Sequence, residues 1–210
     1  MNQIPKSLFF ARHACRPLLK RLEDLFGEME SAYEAVAERY GFRCSGCEDN
    51  CCLTRFYHHT LLEVLYLAEG LERLSPAERR TLMVQAASVE DQMVEADRCA
   101  MNVRRMCPLN QDGQCRLYNH RPMICRLHGI PHELHRPGGD VSRHPGCDAF
   151  FDQCRKGGIT EYIRFDRTPF YRAMAMLEKE LRRETGYAEK IKLTIAQMLI
   201  VITESDHEID

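Results

Sequence analysis

Apolar residues recur every three or four positions in the N-terminal part of the chain. The stripe has seven members, Leu18, Leu22, Leu25, Met29, Tyr33, Val36 and Tyr40. Positions with this spacing share one face of an α-helix, and Gly41 follows where a helix commonly ends. We therefore predict a long amphipathic helix whose apolar face packs against the core.

Two further helices are predicted near residues 60–74 and 76–106. Thr60 with Glu63, and Ser75 with Glu78, both match the capping-box pattern that opens a helix. Pro76 occupies the first helical position, which proline favours. The second helix carries an apolar stripe that continues almost to Cys107, through Leu82, Ala86, Val89, Met93, Ala96, Ala100 and Val103.

The C-terminal part is predicted to be helical again. Thr168 and Pro169 resemble a cap and a first turn, and Gly186 follows where this helix should end. A last helix is indicated by Ile191, Ile195, Met198 and Ile202. From Cys107 to Cys154, in contrast, proline and glycine are frequent and periodicity is lost, so we expect loops and short turns there.

These patterns predict a mainly α protein, a helical bundle-like domain with a cysteine-rich, loop-dominated region inserted between helices. The segments are an N-terminal helical part at 1–43, a cysteine-cluster region at 44–158 and a C-terminal helical part at 159–210. With 210 residues the chain is long enough to bury a core. We expect the three segments to form one compact domain.

Charge and hydropathy limit the classes of partner. The net charge is −2 and the isoelectric point is about 6.5, which predicts neither nucleic acid nor an anionic membrane as the partner. No apolar run approaches the roughly 20 residues of a membrane-spanning helix. The N-terminus lacks the long apolar segment of a secretory signal. We predict a cytoplasmic location, where thiols stay reduced and can bind metal.

Cysteine is the residue whose count and distribution stand out. Of eleven cysteines, ten lie between Cys44 and Cys154. Cys44 and Cys47 are separated by two residues, the spacing that lets two sulfurs face one metal. Cys51 and Cys52 follow at once. Neighbouring side chains point apart, so this pair can serve two sites, or one thiol can bind while the other packs.

A second group of cysteines follows the long helix. Cys107, Cys115, Cys125 and Cys147 are too widely spaced for a standard zinc knuckle and suit a site assembled from several loops. Gly113 supplies a turn beside Cys115, and Pro122 fixes the chain that enters the turn at Cys125. Together the two groups predict eight metal ligands, namely Cys44, Cys47, Cys51, Cys52, Cys107, Cys115, Cys125 and Cys147.

At these residues the chain resembles a cysteine-cluster family named for a CxxCxxCC motif and described as chelating zinc or iron. The resemblance rests on the four cysteines from Cys44 to Cys52, then on Cys107-Pro-Leu, Gly113-x-Cys115, Tyr118-x-x-Arg121-Pro122-x-x-Cys125-Arg126, and Cys147 with Gly157-Gly158. One departure is that Cys47 and Cys51 are separated by three residues instead of two. Which of Cys51 and Cys52 takes the role of the third family cysteine is therefore open.

The resemblance implies a metal-binding protein. We favour an iron–sulfur cluster of the [4Fe–4S] type, in a structural or redox role, because only one short two-residue cysteine spacing is present and because a partial resemblance extends to the flagellin lysine methylases. Zinc in a structural or interaction protein is the first alternative, and a protein-modifying enzyme similar to those methylases is the second. No phosphate-binding or nucleophile-elbow motif supports an enzyme. An unknown protein partner is compatible with any of these functions.

Arginine accompanies the second group of cysteines. From Arg98 to Gly146 the chain has eight arginines, no lysine and three acids, a net charge of +5 with histidine neutral. Thiolate-bound metal centres are anionic, so nearby donors stabilise them; the alternative is a solvated basic surface. The candidates are Arg105, Arg116, Arg121 and Arg126. His128 and Cys154 are weaker candidates as ligands. We expect Cys99 to lie in the core, and His58 and His59 to cap a helix or lie on the surface.

Overall fold

The fold is built from helices, as the apolar periodicity predicts. The computed structural model describes residues 4–10, 13–44, 51–157 and 161–206. Within these ranges the helices are α1 Lys6–Phe10, α2 Arg16–Arg39, α3 Leu61–Glu72, α4 Pro76–Arg98, α5 Met123–Leu127, α6 Asp148–Gly157, α7 Thr168–Thr185 and α8 Ile195–Asp206. Two antiparallel hairpins complete the regular structure, β1 Asn110–Gln111 with β2 Gln114–Cys115, and β3 His132–His135 with β4 Val141–His144. The mainly α class is confirmed.

Helix α3 lies at the centre of the molecule. Nearly all of its side chains are buried, including those on opposite faces such as Leu61, Leu65 and Leu67. It contacts α2, α7 and α8, so it is apolar all round instead of amphipathic. One cluster of buried apolar side chains joins α3 to residues from the N-terminal and C-terminal segments.

The helix expected near 76–106 ends at Arg98, eight residues early. Ala100 adopts a left-handed conformation with φ +52°. Its N–H donates to Asp97 O, and the Met101 N–H donates to Ala96 O, which is the pattern of a Schellman cap. The apolar stripe misled the prediction because Ala100 and Val103 continue the spacing beyond a backbone stop that alanine rarely forms.

The capping box predicted from the sequence forms at the start of α4 but not at the start of α3. Ser75 and Glu78 form the reciprocal capping box. Thr60 also caps its helix by accepting from the Glu63 N–H at 3.2 Å. The Glu63 carboxylate, however, accepts from the Met123 N–H at 2.9 Å. Glu63 therefore joins α3 to α5 instead of closing a local box.

The region after Cys107 has more regular structure than expected. It contains both hairpins, α5 and the ten-residue helix α6. The last helix, in contrast, begins at Ile195 and not near Ile191, because Leu193 forms a β-bridge with His58. His58 is 2% exposed, so the expectation that it caps a helix or lies on the surface is wrong.

None of the helices in the described ranges combines the length and apolar character needed to cross a bilayer.

Candidate metal site

Cysteines from distant parts of the chain line one cavity of about 990 Å³. Its wall also includes residues of α2, α4 and α8. Seven of the eight predicted ligands lie on it, namely Cys44, Cys51, Cys52, Cys107, Cys115, Cys125 and Cys147. The eighth, Cys47, lies outside the described residues.

The backbone holds the two cysteine groups together across α3 and α4. The Cys107 N–H donates to Cys52 O at 2.9 Å. A two-residue turn at Asp112 and Gly113, both with positive φ, then folds β2 back so that Cys115 pairs with Asn110. Cys115 thus returns to the neighbourhood of Cys107.

Backbone N–H groups point at three of the sulfurs. The Cys107 sulfur accepts from Leu109 and Asn110, and the Cys115 sulfur accepts from Leu117. The Cys147 sulfur accepts from Phe150 and Ala149 at the start of α6. Such donors favour a thiolate over a thiol, which is the form that binds a metal.

Cys125 is positioned through a buried carboxylate. It lies on α5, whose first residue, Met123, donates its N–H to Glu63. Burial raises the pKa of Glu63, and a hydrogen bond from Thr60 opposes that rise. A side chain of α3 therefore fixes the short helix that carries Cys125. Sequence analysis missed this role because the pattern predicted a local cap.

Burial and mutual contact set the protonation of the thiols. A hydrogen bond from the Cys51 thiol lowers the pKa of Cys52 to about 6 and raises that of Cys51. Burial raises the pKa of Cys107 to about 12 and that of Cys125 well above its ordinary value. A bound metal would lower the pKa of each thiol that it binds, because its charge stabilises the thiolate.

The four predicted arginines have different surroundings. Arg121 and Arg126 both form ion pairs with Glu30 of α2. Burial raises the pKa of Cys115, and these two guanidinium groups oppose that rise, so both lie within electrostatic reach of its sulfur.

The other two predicted arginines differ in whether they border the cavity. Arg105 is exposed and borders the cavity. Arg116 forms an ion pair with Glu78 at 2.8 Å and does not contribute to the cavity wall. Glu30 is a partner that the sequence did not reveal, since it lies on the polar side of the helical stripe.

Cys44 and Cys147 also border the cavity. Arg43, the neighbour of Cys44, is fixed to α6 by two hydrogen bonds with the Gln153 amide, both at 3.0 Å. The Cys147 N–H donates to Gly129 O at 2.8 Å. Cys147 directly precedes α6 and Arg43 is bound to the middle of that helix, so α6 supports the chain at both cysteines.

Tyr33 of α2 is half-buried and borders the same cavity. Its hydroxyl donates to His128 O at 3.0 Å. Burial raises the pKa of Tyr33, and charges on Cys44 and Cys147 raise it further. Tyr33 was predicted as one more core position of the stripe, and nothing in its spacing distinguishes it from the others.

Gly146 is needed for the close approach of two segments beside Cys147. A Cβ at this position would lie 2.7 Å from Gly129 O and 2.4 Å from the Phe150 ring. We predict that Gly146→Ala lowers the free energy of unfolding by about 1–3 kcal/mol, because the backbone oxygen has to move. Urea denaturation measures this loss. Gly138→Ala is the control, since Gly138 has no neighbour within 4 Å, and an equal loss in both variants would contradict the prediction.

The remaining candidates are placed as follows. His128 is half-buried, borders the cavity and packs edge-on against Phe56. Cys154 is buried in the core away from the cavity wall. Cys99 was expected in the core, but it is exposed and its thiol donates to Glu95. The early end of α4 explains this, because Cys99 is itself the C-cap residue of the helix.

A second cluster of metal-binding side chains lies outside the cavity. Glu133, His135 and Asp166 bring three ligand atoms within 4.8 Å of one another. Arg164 contacts Glu133 at 2.5 Å and Asp166 at 3.7 Å. A guanidinium group already neutralises these carboxylates, so the cluster is an ion-pair network that fixes β3 to the start of α7.

Comparison with known proteins identifies the cysteine-bearing part of the chain. Residues 43–140, just under half of the chain, match the model of the CxxCxxCC family, which is described as a "Putative zinc- or iron-chelating domain". No curated protein and no solved structure matches the chain. The matched range contains six of the seven cysteines that line the cavity, and Cys147 lies beyond it.

Proposed function

We propose that this chain, whose residues 43–140 match the model of the CxxCxxCC family, holds an iron–sulfur cluster in its cysteine-lined cavity. The ligands are Cys52, Cys107, Cys115 and Cys125, which we call the Cys125 group. All four border the same cavity. Burial raises the pKa of Cys125, and charges on the other three cysteines raise it further. Cys47 lies outside the described residues, so its role as a ligand remains a prediction.

The observation that carries this proposal is that four thiols from distant segments border one cavity without forming a compact trio. A zinc ion with four thiolates at about 2.3 Å places the sulfurs about 3.8 Å apart. In the described part of the chain, no three cysteine sulfurs lie within 4.8 Å of one another. A cluster of several irons holds its sulfurs farther apart than a single ion does. The spacing therefore supports a cluster over zinc.

The surroundings of the Cys125 group fit such a centre. Backbone N–H groups point at Cys107 and Cys115, and hydrogen bonds to the sulfurs are one of the factors that set the potential of an iron–sulfur cluster. Arg121 and Arg126 add positive charge near Cys115. When bound, the cluster supplies one-electron chemistry or a structural cross-link. The protein residues fix the sulfurs and compensate their charge.

The proposal also supports a cytoplasmic location. The ten cysteines in the described ranges form no disulfide with one another. Seven of them border one cavity, where an oxidising compartment would favour disulfide formation over metal binding.

Anaerobic purification tests the proposal. We predict a coloured protein that contains iron and acid-labile sulfide in about equal amounts, with little zinc. The measurements are iron, zinc and sulfide analysis together with a visible spectrum. Cys99→Ser, at an exposed cysteine outside the cavity, should contain the same amounts. A colourless protein with stoichiometric zinc and no sulfide would replace the cluster by a zinc site, and a protein without any metal would overturn the metal-binding function itself.

A further inference from the structure

Part of the cavity wall is apolar and carries no cysteine. Helix α4, the start of α8 and the chain between Cys52 and α3 all contribute to it. We call this part the apolar subsite, and its members are Phe56, Val89, Met93, Ile195 and Ala196. The whole cavity, at about 990 Å³, is at the upper end of the range for sites that enclose an organic ligand. A [4Fe–4S] cluster is smaller than such a ligand, so it would fill only a part of the cavity.

Backbone and side-chain contacts hold the walls of the apolar subsite together. Helix α4 packs along α8. His58 and Leu193 exchange two backbone hydrogen bonds, at 2.8 and 3.0 Å, shortly before α8 begins. Arg55 binds Asp97 of α4 through two hydrogen bonds at 2.7 and 2.9 Å. The chain from Arg55 to His58 is therefore attached both to α4 and to the residues that lead into α8.

The His58 side chain lies on the same side of the chain as Phe56. Side chains alternate along an extended chain, and the β-bridge with Leu193 shows that the chain is extended at His58. Phe56 and His58 both border the cavity, whereas Tyr57 between them does not. Tyr57 instead contacts Lys192, whose Nζ lies 4.4 Å from the centroid of the tyrosine ring. The imidazole of His58 is thus directed to the apolar subsite.

His58 brings an unpartnered polar atom to this subsite. The residue is 2% exposed, and its Nε2 forms no hydrogen bond within the described part of the chain. Its backbone N–H and C=O are both bound to Leu193. A buried polar atom without a partner costs free energy. A bound molecule that supplies the missing partner would recover that cost.

Arg55 indicates which kind of group such a molecule presents. It also borders the cavity, and its Nε–H is buried without a partner, while Nη1 and Nη2 bind Asp97. A guanidinium N–H only donates, so its partner has to be an acceptor. Asp97 compensates the charge of Arg55. Burial lowers the pKa of His58 to about 4, which leaves the imidazole neutral near neutral pH. The two side chains therefore favour an uncharged acceptor.

We propose that the apolar subsite binds an uncharged organic molecule that places a carbonyl oxygen against the Nε2 of His58. The hydrocarbon part of the molecule would contact the five apolar side chains, and a carbonyl oxygen can accept from more than one donor. A charged ligand would lose its hydration there without gaining an uncompensated opposite charge. The inference goes beyond the proposed function, since none of these residues is a proposed ligand of the cluster.

Displacement of a fluorinated ketone tests the inference on the full chain, purified anaerobically. The reporter is para-fluoroacetophenone, followed by fluorine NMR. Acetophenone should displace it, whereas benzoate, an anion on the same ring, should need a concentration at least about tenfold higher. If the reporter does not bind, water fills the subsite and the inference is wrong. If benzoate displaces the reporter as well as acetophenone does, the subsite does not select an uncharged ligand, and the inference is also wrong.

Substitution of His58 tests the hydrogen bond itself. His58→Leu should weaken binding of the reporter about two- to tenfold, the contribution of one net hydrogen bond. It should not weaken binding of para-fluorocumene, which has an isopropyl group in place of the acetyl group. His58→Gln keeps an N–H donor and should lose less affinity for the reporter. Equal weakening of both probes in His58→Leu would mean that His58 only supports the wall, and the proposed hydrogen bond would be wrong.

His59→Leu is the matched control, because His59 is exposed and does not border the cavity. It should bind both probes as the wild type does. Circular dichroism checks that each variant folds, and the comparison of acetophenone with benzoate decides on the wild type if His58→Leu does not fold.

Iron and sulfide analysis of the same samples separates this inference from the proposed function. A protein that binds the reporter but contains neither iron nor sulfide would contradict only the proposed function. A protein that contains the cluster but does not bind the reporter would contradict only the inference.

Discussion

Glu178→Ala should lower the free energy of unfolding by about 3–5 kcal/mol, since it removes one partner of a buried charged network. The Glu178 carboxylate on α7 accepts from the N–H groups of Leu61 and Leu62 at 2.9 and 3.0 Å. It also accepts from Arg182 at 2.6 Å. The substitution leaves two buried amides at the start of the central helix and the Nε–H of Arg182 without their acceptor.

The neighbouring glutamate on the same helix provides the control. Glu180 pairs with Arg21 at 2.8 Å, and the two side chains are 31% and 53% exposed. Glu180→Ala should cost less than about 1 kcal/mol, as exposed ion pairs do. Glu178→Gln keeps one acceptor and should fall between the two. Urea denaturation followed by circular dichroism gives all three values, and similar losses for Glu178→Ala and Glu180→Ala would disprove the special role of Glu178.

Glu178 also shows why some of the fold could not be predicted from the sequence. The pattern at Thr60 correctly predicts the start of α3, because capping depends on residues within one turn. The acceptor of the Leu61 and Leu62 N–H groups, however, lies 117 residues away from Leu61. Nothing local distinguishes Glu178 from the other acids of α7. Contacts of this kind arise only when two distant helices meet.

The candidate site, like the fold, could be predicted from the sequence only in part. The motif spacing of the cysteines, more than their clustering, predicts which thiols border the cavity. Cys99 and Cys154 lie in the same stretch of the chain but not on the cavity wall. Seven of the eight predicted ligands border the cavity. The supporting residues Glu63, Glu30 and Tyr33 were not predicted, since each also fits an ordinary role as a cap, a surface charge or a core position. Their function depends on tertiary contacts with the cysteine-bearing loops.

Apolar periodicity was least reliable where the backbone stops a helix without a glycine or a proline. The stripe of α4 continues through Ala100 and Val103, but Ala100 has φ +52° and ends the helix. The early stop lets the chain from Cys99 onward leave the helix axis and reach Cys52, where the Cys107 N–H is bound. The end of α4, which the sequence did not predict, is therefore the point that lets the two cysteine groups come together.

Cys125→Ser should strip the cluster from the Cys125 group. Cys125 interacts with the other three members of that group, and burial raises its pKa well above the ordinary value for a thiol. A serine hydroxyl is a weaker ligand, because it holds its proton more tightly than a thiol does. We expect the iron and sulfide bound by this group to be lost, and the midpoint of thermal unfolding to fall, because metal binding and folding are coupled.

Cys154→Ser is the matched comparison, since Cys154 is also buried but lies outside the cavity. It should keep the wild-type content of iron and sulfide and lose only the stability expected for a polar substitution in the core, about 1–3 kcal/mol. Iron and sulfide analysis on both purified variants makes the comparison. Equal metal loss would mean that core damage removes the cluster indirectly, and a full metal content in Cys125→Ser would remove Cys125 from the ligands. The pair therefore separates binding of the cluster from stability of the core that surrounds it.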